Sequence, residues 1–573
     1  MPSKSIKSTF AKRAGVLTGV ALVASLAATP SVAGSSSPTG WVSTHTKALD
    51  LRGQLIGATP VSQALEISVT LPLRDSSAIN GLIESRTIMT PSQVAARFGP
   101  TQASVSAVES YLAGQGFSGI SVSSNRLLVT ADASAAKAER AFHTSLTNYR
   151  LNNKLVYANT QPALVPAALA PDVTAVLGLS DVPFDVPNIA ATVPDTAGFF
   201  PSVLQKIYDA TTMKPASGTT IAILQSGDET PIIANLRYAE EEEGYSQVPV
   251  QVIYDGPTPE IVNNNPLTGT AEWDLDVQMA TMMAQSVKQL DIYDVSTYTD
   301  PEVARGINMF VAQDKATAMS VSLGECDYIA FLDGAMVSTD ESLAEGALQG
   351  QSMFGATGDN GYACPEVAST GVPEGPPGVS WPGDGEYTTA TGGTTLIANS
   401  AGDVSDEIAW VGGGGGISPW ETAPPWTLQA NPAGQLWEFT NQGGRGVPDV
   451  SADADGNVSP VLIYTGSKTA SAVGGTSVDA PLIMGLWARI DNSYHDFLGL
   501  AQYNFYALYN AVNPATIEGT PLGGIDVPAV NPLPVNGFRS IVLGTNGGCV
   551  AKPGYNYCTG IGAPLAAELL KEL

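Results

Sequence analysis

The chain has 573 residues, of which 44% are hydrophobic, and its 54 acidic and 26 basic side chains give a net charge of −28. A chain of this length exceeds a single compact core, so we expect at least two structural units. The acidic balance argues against nucleic acid or an anionic membrane as a partner, because both select basic surfaces. It fits a soluble secreted monomer, and equally a protein suited to acid, where carboxylates lose their charge near pH ~4.

The first 33 residues have the pattern of a secretory signal peptide. Four basic residues between positions 4 and 13 precede an apolar run from Ala14 to Ala28, and Ser31-Val32-Ala33 follows. The run is shorter than the ~20 apolar residues of a membrane span. We expect cleavage after Ala33, release from the cell and no membrane attachment afterwards; an uncleaved anchor is the alternative.

Residues from about 45 to 180 have the texture of a small α+β unit. The pattern predicts strands at Leu65–Leu71, Ile120–Val122 and Arg126–Thr130. It also predicts three helices: one that begins after Thr90, one at Ser104–Gly114 and one at Ser134–Phe142. The segment from Asp181 to Ala197 is rich in Pro, Ala, Thr and Val, which is typical of a linker. Because processing proteases cut such linkers, we expect a maturation cut between about 185 and 200.

Beyond residue 200, strand-like and helix-like segments alternate. Thr220–Leu224 and Ala318–Ser322 are apolar runs suited to strands covered on both faces, and Ala271–Val287 between them has a helical pattern. This alternation predicts a parallel sheet, with functional groups at the carboxyl ends of its strands.

The four cysteines of this large exported chain are compatible with two disulfides. Cys549 and Cys558 are close together in a Gly-rich segment, and pairing them leaves Cys326 with Cys364. Three connectivities are possible in principle, and the sequence does not exclude the other two.

Histidine is scarce. Of the three histidines, His45 and His143 lie in the N-terminal unit, and His495 lies in a polar stretch 18 residues after Ser477. A Ser-His-Asp triad and a zinc site with several histidine ligands are therefore both disfavoured.

A candidate nucleophile is nevertheless present in Gly474-Gly475-Thr476-Ser477-Val478-Asp479-Ala480-Pro481. Small residues deliver Ser477 to the start of the apolar run Pro481–Ile490, where a helix N-terminus favours a developing anion. A helix N-cap is the alternative role for this serine. The motif differs from the G-x-S-x-G elbow of α/β-hydrolases, since Asp479 takes the second glycine position.

Two carboxylates could supply the base that histidine does not. Glu272 and Asp276 are spaced i and i+4, so both lie on one helix face. Two like charges this close raise the pKa of one of them and share protons as a pair. Such a base remains partly ionised in acid; a solvated acidic helix face is the alternative reading.

A third element is Ala356-Thr357-Gly358-Asp359-Asn360-Gly361, whose small residues let the backbone approach a ligand. Asp359 would point into the site, and a carboxylic acid stabilises an oxyanion only when it is protonated. Acid activity is again indicated, although an ordinary tight turn has the same pattern.

Taken together and in order, these motifs resemble the sedolisin (serine-carboxyl peptidase, kumamolisin-like) family. The resemblance covers nearly the whole chain after the signal. The motifs that carry it are Glu272-x-x-Leu275-Asp276, Ser320–Gly324, Gly358–Gly361 and Gly475–Pro481, supported by Thr391–Leu396, Gly413–Ser418 and Arg445–Ala452. Thr391 stands where the family often has valine.

The resemblance implies an α/β fold: a subtilisin-like, doubly wound parallel sheet preceded by a small α+β, ferredoxin-like prodomain. It divides the chain into a signal peptide (1–33), an activation domain with its linker (34–190) and a peptidase domain (191–573). It further implies that the prodomain blocks the cleft as an intramolecular inhibitor and is removed autocatalytically in acid.

The resemblance also assigns roles to individual residues. Ser477 would be the nucleophile, Glu272 the general base and acid, Asp276 the residue that orients Glu272, and Asp359 the oxyanion donor. Segments flanking the substrate backbone would contribute Ser320, Ser322, Gly324, Gly414 and Gly415.

One departure from the family concerns calcium. The family usually has a calcium site near the C-terminus that uses an Asp-Ile pair and a later Gly-x-Asp. The matching positions here are Ser540, Ile541, Gly554 and Asn556, so both acids are replaced by neutral residues. Because calcium affinity depends on ligand charge, we expect a weak or absent site, with a Cys549–Cys558 bridge stapling the loop instead. No other cofactor is expected.

The leading interpretation is a secreted, acid-active endopeptidase that acts on proteins and peptides. A tripeptidyl aminopeptidase of the same chemistry is one alternative, and an inactive binding protein on this scaffold is another, because fold does not guarantee function. All four catalytic positions hold the chemically required residue, which favours an enzyme.

Overall fold

A computed structural model describes residues 40–183, 198–255, 270–364, 378–428, 444–511 and 536–573, apart from residues 50, 52, 152, 153, 467 and 469. The predicted signal peptide lies outside the described residues, as does the predicted linker Asp181–Ala197 from residue 184 onward. Among the described residues, no helix is long and apolar enough to cross a membrane.

The N-terminal unit consists of short strands and four helices within residues 40–183. Its elements are β1 (Trp41–Ser43), β2 (Gln54–Ala58), β3 (Ala64–Thr70), α1 (Ile79–Glu84), α2 (Pro91–Arg97), α3 (Gln102–Gly114), β4 (Ser118–Val122), β5 (Leu128–Ser134), α4 (Ala135–Phe142), β6 (Leu146–Leu151), β7 (Lys154–Asn159), β8 (Leu164–Pro166) and β9 (Ala175–Leu177).

The main sheet of this unit has the order β4-β5-β3-β9, with every neighbouring pair antiparallel. Along the chain its elements run β3, α3, β4, β5, α4, β9, which is the βαββαβ arrangement of a ferredoxin-like fold. Ile67 and Val69 of β3 are buried beneath α3 and α4 in its core. The predicted α+β prodomain fold is confirmed.

The starts of α2 and β5 are both determined by residues close to them in the sequence. Thr90 caps α2 with a reciprocal pair of hydrogen bonds to Gln93, as its position before Pro91 predicted. The predicted strand at Arg126–Thr130 begins two residues late, at Leu128. Arg126 lies in a turn with φ +69°, a conformation that cannot continue a strand.

The C-terminal unit contains the large sheet and its helices. Its elements are α5 (Pro201–Ile207), β10 (Ala216–Gln225), α6 (Glu229–Glu242), β11 (Val250–Tyr254), α7 (Thr270–Met283), β12 (Val287–Asp294), α8 (Asp300–Gln313), β13 (Ala318–Val321), β14 (Glu325–Cys326), α9 (Asp327–Asp333), α10 (Ala335–Gln349), β15 (Ser352–Ala356), β16 (Ser380–Trp381), β17 (Thr388–Ala398), β18 (Val404–Ala409), β19 (Gly416–Thr422), α11 (Pro425–Leu428), β20 (Gly444–Val447), β21 (Val450–Asp453), β22 (Val461–Tyr464), β23 (Ala470–Val473), α12 (Thr476–Ser493), α13 (Ala501–Ala511), β24 (Phe538–Arg539), β25 (Ala563–Pro564) and α14 (Ala566–Glu572).

The large sheet has the order β11-β12-β10-β13-β15-β17-β18, and β21 also pairs with β17. All neighbours are parallel except β17 and β18, which are antiparallel. The sheet therefore has the predicted doubly wound, subtilisin-like α/β architecture. The predicted helix at Ala271–Val287 ends at Met283, because Gln285 turns the chain at φ +62° and Val287 begins β12.

The two predicted disulfides, Cys326–Cys364 and Cys549–Cys558, are both present. The first joins the end of β14 to the segment that follows β15. The second closes a loop between β24 and β25.

The N-terminal unit packs on α10 of the C-terminal unit. The Leu73 amide donates to Glu341 Oε2 at 2.8 Å, and Asn125 Nδ2 donates to Glu345 Oε2 at 3.1 Å. Two acidic side chains of the C-terminal unit therefore lie at the contact with the N-terminal unit, with Glu345 buried and Glu341 half-buried.

Candidate active site

Ser477 lies in the first turn of α12, two residues after Gly475. Gly475 has φ +114°, a conformation that favours glycine, and it delivers Thr476 and Ser477 into the helix. Ser477 is buried, and the positive end of the α12 dipole lies at its backbone. The helix therefore begins before the apolar run and includes the serine.

No histidine lies near this serine. The stretch of α12 from Ser477 to Ser493 spans about 24 Å at 1.5 Å per residue, and His495 lies exposed beyond its far end. His45 and His143 are exposed on the prodomain.

Glu272 and Asp276 are both buried on α7, which packs along α12. Asp276 Oδ1 accepts a hydrogen bond from the Ser322 hydroxyl at 2.7 Å. Among the described residues, Asp276 Oδ2 and both oxygens of Glu272 have no hydrogen-bond partner within ordinary distance. Three of the four carboxyl oxygens of the pair are therefore not committed to a donor in the described part of the chain.

The electrostatics of the pair favour the protonated forms. Burial raises the pKa of Glu272 well above its usual range, and the neighbouring Asp276 raises it further. The nearby Ser477 hydroxyl acts in the opposite direction and lowers the pKa of Glu272. Burial likewise raises the pKa of Asp276, and the Ser322 hydroxyl lowers it. The pair can accept a proton from a hydroxyl in a setting that water does not screen.

Asp359 lies across the first turn of α12 from this pair. Its Oδ1 accepts hydrogen bonds from the Thr476 amide at 2.8 Å and the Thr476 hydroxyl at 3.0 Å. Its Oδ2 lies over Gly475, where a Cβ would be only 2.6 Å away. Burial of the carboxyl raises the pKa of Asp359, which favours the protonated form that can donate a hydrogen bond.

A clamp on the sheet holds the start of α7, and sequence reasoning missed it. Trp273 Nε1 and the Tyr298 hydroxyl both donate to the Ser226 carbonyl, at 3.1 and 2.7 Å, and their rings stack. Ser226 follows β10, so the clamp fixes the turn that carries Glu272. The tryptophan directly after Glu272 was the available signal.

The five predicted substrate-binding residues have different surroundings. Ser320 lies inside the sheet, paired with Ile223 and Phe354, whereas Ser322 and Gly324 follow the carboxyl end of β13. The Gly414 amide donates to the Gly358 carbonyl at 2.8 Å, beside Asp359.

Glycine is required at two of these positions by the space available. A Cβ on Gly414 would lie 1.8 Å from the Thr357 carbonyl oxygen, and a Cβ on Gly415 would lie 2.0 Å from that of Tyr557. Contact of these five residues with substrate remains a prediction.

The predicted calcium position does not fit the ion. The Asn556 carboxamide nitrogen donates to the carbonyls of Lys552 and Gly554, at 3.2 and 3.3 Å. Its oxygen accepts from the amides of Cys558 and Thr559, both at 3.1 Å, which fixes the orientation of the carboxamide. An N–H group of Asn556 therefore occupies the carbonyl of Gly554, which is one of the positions matched to the calcium site, and the buried Ser540 side chain offers no charge.

The sequence matches known proteins along both units. Residues 54–182 match the family model described as "Pro-kumamolisin, activation domain". Sedolisin of Pseudomonas sp. (strain 101) is 32% identical over 96% of this chain and 95% of its own length. Xanthomonalisin of Xanthomonas sp. (strain T-22) is 30% identical over 80% of this chain, which spans 61% of that protein.

A solved structure agrees with these matches. Pseudomonas sedolisin, described as a serine-carboxyl proteinase complexed with pseudo-iodotyrostatin, superposes with a TM-score of 0.56 at 29% identity. The superposition covers 66% of this chain and 98% of that one. The chain therefore belongs to the sedolisin family of peptidases and carries the family's N-terminal activation prodomain.

Proposed function

We propose that this chain is the precursor of a secreted, acid-active serine-carboxyl endopeptidase. In this proposal Ser477 attacks the peptide carbonyl, Glu272 takes its proton and later gives it to the leaving amine, Asp276 shares the proton of Glu272, and Asp359 stabilises the oxyanion.

The observation that carries the proposal is the meeting of α7 and α12. The support is that Glu272 and Asp276 are buried on α7 near the buried Ser477 at the N-terminus of α12, and that no imidazole lies near the serine among the described residues. A buried carboxyl pair has no evident structural benefit, since burying two acids without a cation costs stability. That cost is understandable if the pair is the base for Ser477.

Acid activity follows from two protonation requirements. Asp359 must be protonated to donate a hydrogen bond to the oxyanion, while the Glu272–Asp276 pair must hold one negative charge to act as base. Burial raises the pKa of Asp359, so its acid form extends to higher pH than in a free side chain.

The proposed precursor comprises a signal peptide (1–33), an activation domain with its linker (34–190) and the peptidase (191–573). The activation domain blocks the cleft as an intramolecular inhibitor until the linker is cut. N-terminal sequencing of secreted protein after incubation at low pH tests both cuts, and a new N-terminus between about 185 and 200 is expected.

Endopeptidase activity is proposed because Pseudomonas sedolisin, similar over nearly its whole length, is described as a proteinase. A panel of N-blocked and free peptides separates endopeptidase from tripeptidyl-peptidase activity. An endopeptidase cleaves blocked peptides internally, whereas release of tripeptides from free N-termini alone would assign tripeptidyl-peptidase activity instead.

The test of the function itself is Ser477→Ala. The variant precursor should remain uncut at about pH 4 and should not hydrolyse a denatured protein substrate. Continued processing and proteolysis would show that Ser477 is not the nucleophile, and an inactive wild-type protein would favour a binding role.

A further inference from the structure

We propose that Ser322 is a positioning residue of the carboxyl pair, whose hydroxyl holds Asp276 in the orientation from which it shares a proton with Glu272. The inference rests on the proposed function and adds to it. The family resemblance places Ser322 only beside the substrate backbone.

Ser322 lies where three elements of the site meet. It directly follows β13, and its hydroxyl donates to Asp276 Oδ1 on α7 at 2.7 Å. The same hydroxyl oxygen is 3.4 Å from the Ser477 carbonyl in the first turn of α12. One side chain therefore sets the position of the carboxyl relative to the sheet and to the helix of the nucleophile.

The hydrogen bond leaves the other carboxylate oxygen of Asp276 uncommitted. Ser322 is the only described donor to Asp276, and Asp276 Oδ2 is buried without a partner, as are both oxygens of Glu272. A carboxyl group rotates as a unit, so fixing Oδ1 also fixes Oδ2. In the proposal, this fixed oxygen is the one through which Asp276 shares a proton with Glu272.

The hydroxyl also sets the charge of the pair. A donor to a carboxylate stabilises its ionised form, and Ser322 lowers the pKa of Asp276 against the effect of burial. Two other titratable groups face the pair. Asp359 raises the pKa of Glu272, and the pKa of Tyr298 is raised by burial and, to a smaller extent, by the charge of Glu272. Neither of these groups donates a hydrogen bond to Asp276 in the described part of the chain.

Removing the donor should make the pair hold its second proton more firmly. The pair loses its single negative charge when pH falls, and activity falls with it. Without the Ser322 hydroxyl this loss begins at a higher pH, so the acid limb of the kcat profile moves upward. A side chain that only fills space has no such effect on the limb.

The experiment compares pH profiles of kcat and KM for the mature wild-type enzyme and its Ser322→Ala and Ser322→Thr variants. The alanine variant should shift the acid limb of kcat upward by about one pH unit, the order expected for loss of one hydrogen bond to a carboxylate. The threonine variant keeps the hydroxyl and should retain the wild-type limb. Ser451→Ala is the matched control, because Ser451 is a buried serine of β21 whose hydroxyl has no hydrogen-bond partner in the described part of the chain.

The outcomes separate this inference from the proposed function. An unshifted limb in Ser322→Ala, or a change confined to KM, overturns the positioning role while Ser477-dependent proteolysis stands. An inactive wild-type enzyme, or activity that survives Ser477→Ala, overturns the proposed function instead. If the alanine variant folds poorly, Ser322→Cys is nearly isosteric and a weaker donor, and it should shift the limb in the same direction.

Discussion

Gly485 of α12 lies directly against the Ala280 carbonyl of α7, and a Cβ on Gly485 would be 2.7 Å from that oxygen. Gly485 is eight residues after Ser477, and Ala280 is eight residues after Glu272. The contact between the two helices therefore lies about 12 Å along α12 from Ser477 and about 12 Å along α7 from Glu272. Because this contact fixes the distance between the helices, it also sets the separation of the proposed nucleophile and base.

Replacing this glycine should disturb both stability and catalysis. We predict that Gly485→Ala lowers the free energy of unfolding by about 1–3 kcal/mol, because the added methyl meets backbone that cannot move aside. Thermal unfolding of the precursor in the Ser477→Ala background checks the stability, and kcat of the otherwise wild-type enzyme checks the site. Gly81→Ala in α1 is the control, since no atom of the described residues lies within 4 Å of a Cβ at that position. Equal stability for the two variants would contradict the close helix contact.

The oxyanion role of Asp359 predicts a difference between two substitutions. Asp359→Ala should reduce kcat by about 10²–10³, the usual cost of removing an oxyanion donor. Asp359→Asn keeps a donor that does not titrate, so it should retain more activity and move the alkaline limb of the kcat profile to higher pH. Identical alkaline limbs in wild type and Asp359→Asn would show that another group sets this limb.

The stability of the precursor should decrease as pH rises from about 4 to about 8. Burial raises the pKa of Glu341 and of Glu345 at the prodomain contact to about 7. These groups bind protons more firmly in the folded than in the unfolded chain, whose glutamates titrate near ~4.3. Their favourable contribution is therefore complete below the unfolded value and is lost as pH rises through the folded one.

Denaturant unfolding of the Ser477→Ala precursor across this pH range measures the trend. Glu341→Gln and Glu345→Gln should flatten it, because the amides keep the shape of the side chains without titrating. A stability that rises toward pH 8 would be incompatible with the raised pKa values.

The Asn556 carboxamide should take the place of a calcium ion. We predict that calcium and chelators leave the unfolding temperature of the wild-type protein unchanged, and that calorimetry detects no tight calcium binding. Asn556→Asp places charged oxygens against the Lys552 and Gly554 carbonyls, so this variant should be less stable and should regain stability when calcium is added. Tight calcium binding to the wild-type protein would refute the idea that the Asn556 carboxamide takes the place of calcium.

Local patterns in the sequence predicted the parts of the site that depend on short-range geometry. The i, i+4 spacing of Glu272 and Asp276 is such a local pattern, and both residues lie on the predicted helix. The small residues before Ser477 are another, and they lead into the helix that carries the serine. The order of the strands in the large sheet is not contained in such patterns, since hydrophobic periodicity does not specify neighbours. The family resemblance implied a doubly wound parallel sheet but gave no order for its strands.

Contacts between distant segments were not predictable from the sequence. Ser322 and Asp276 are 46 residues apart, and the direction of the serine hydroxyl depends on how β13 meets α7. The Ser226 clamp joins three segments in the same way. The Arg126 turn was missed for a different reason, because an arginine at positive φ has no sequence signal of its own.

The central claim is that the Glu272–Asp276 pair, and no imidazole, activates Ser477. The most direct measurement is the rate of precursor self-processing at about pH 4 in Glu272→Gln and in His495→Asn. Asparagine tolerates the φ of +60° at position 495, and circular dichroism of both variants verifies the fold. The account predicts a loss of at least about 10²–10⁴ in Glu272→Gln, as for removal of a general base, and an unchanged rate in His495→Asn. Normal processing in Glu272→Gln, or a comparable loss in a folded His495→Asn, would contradict it.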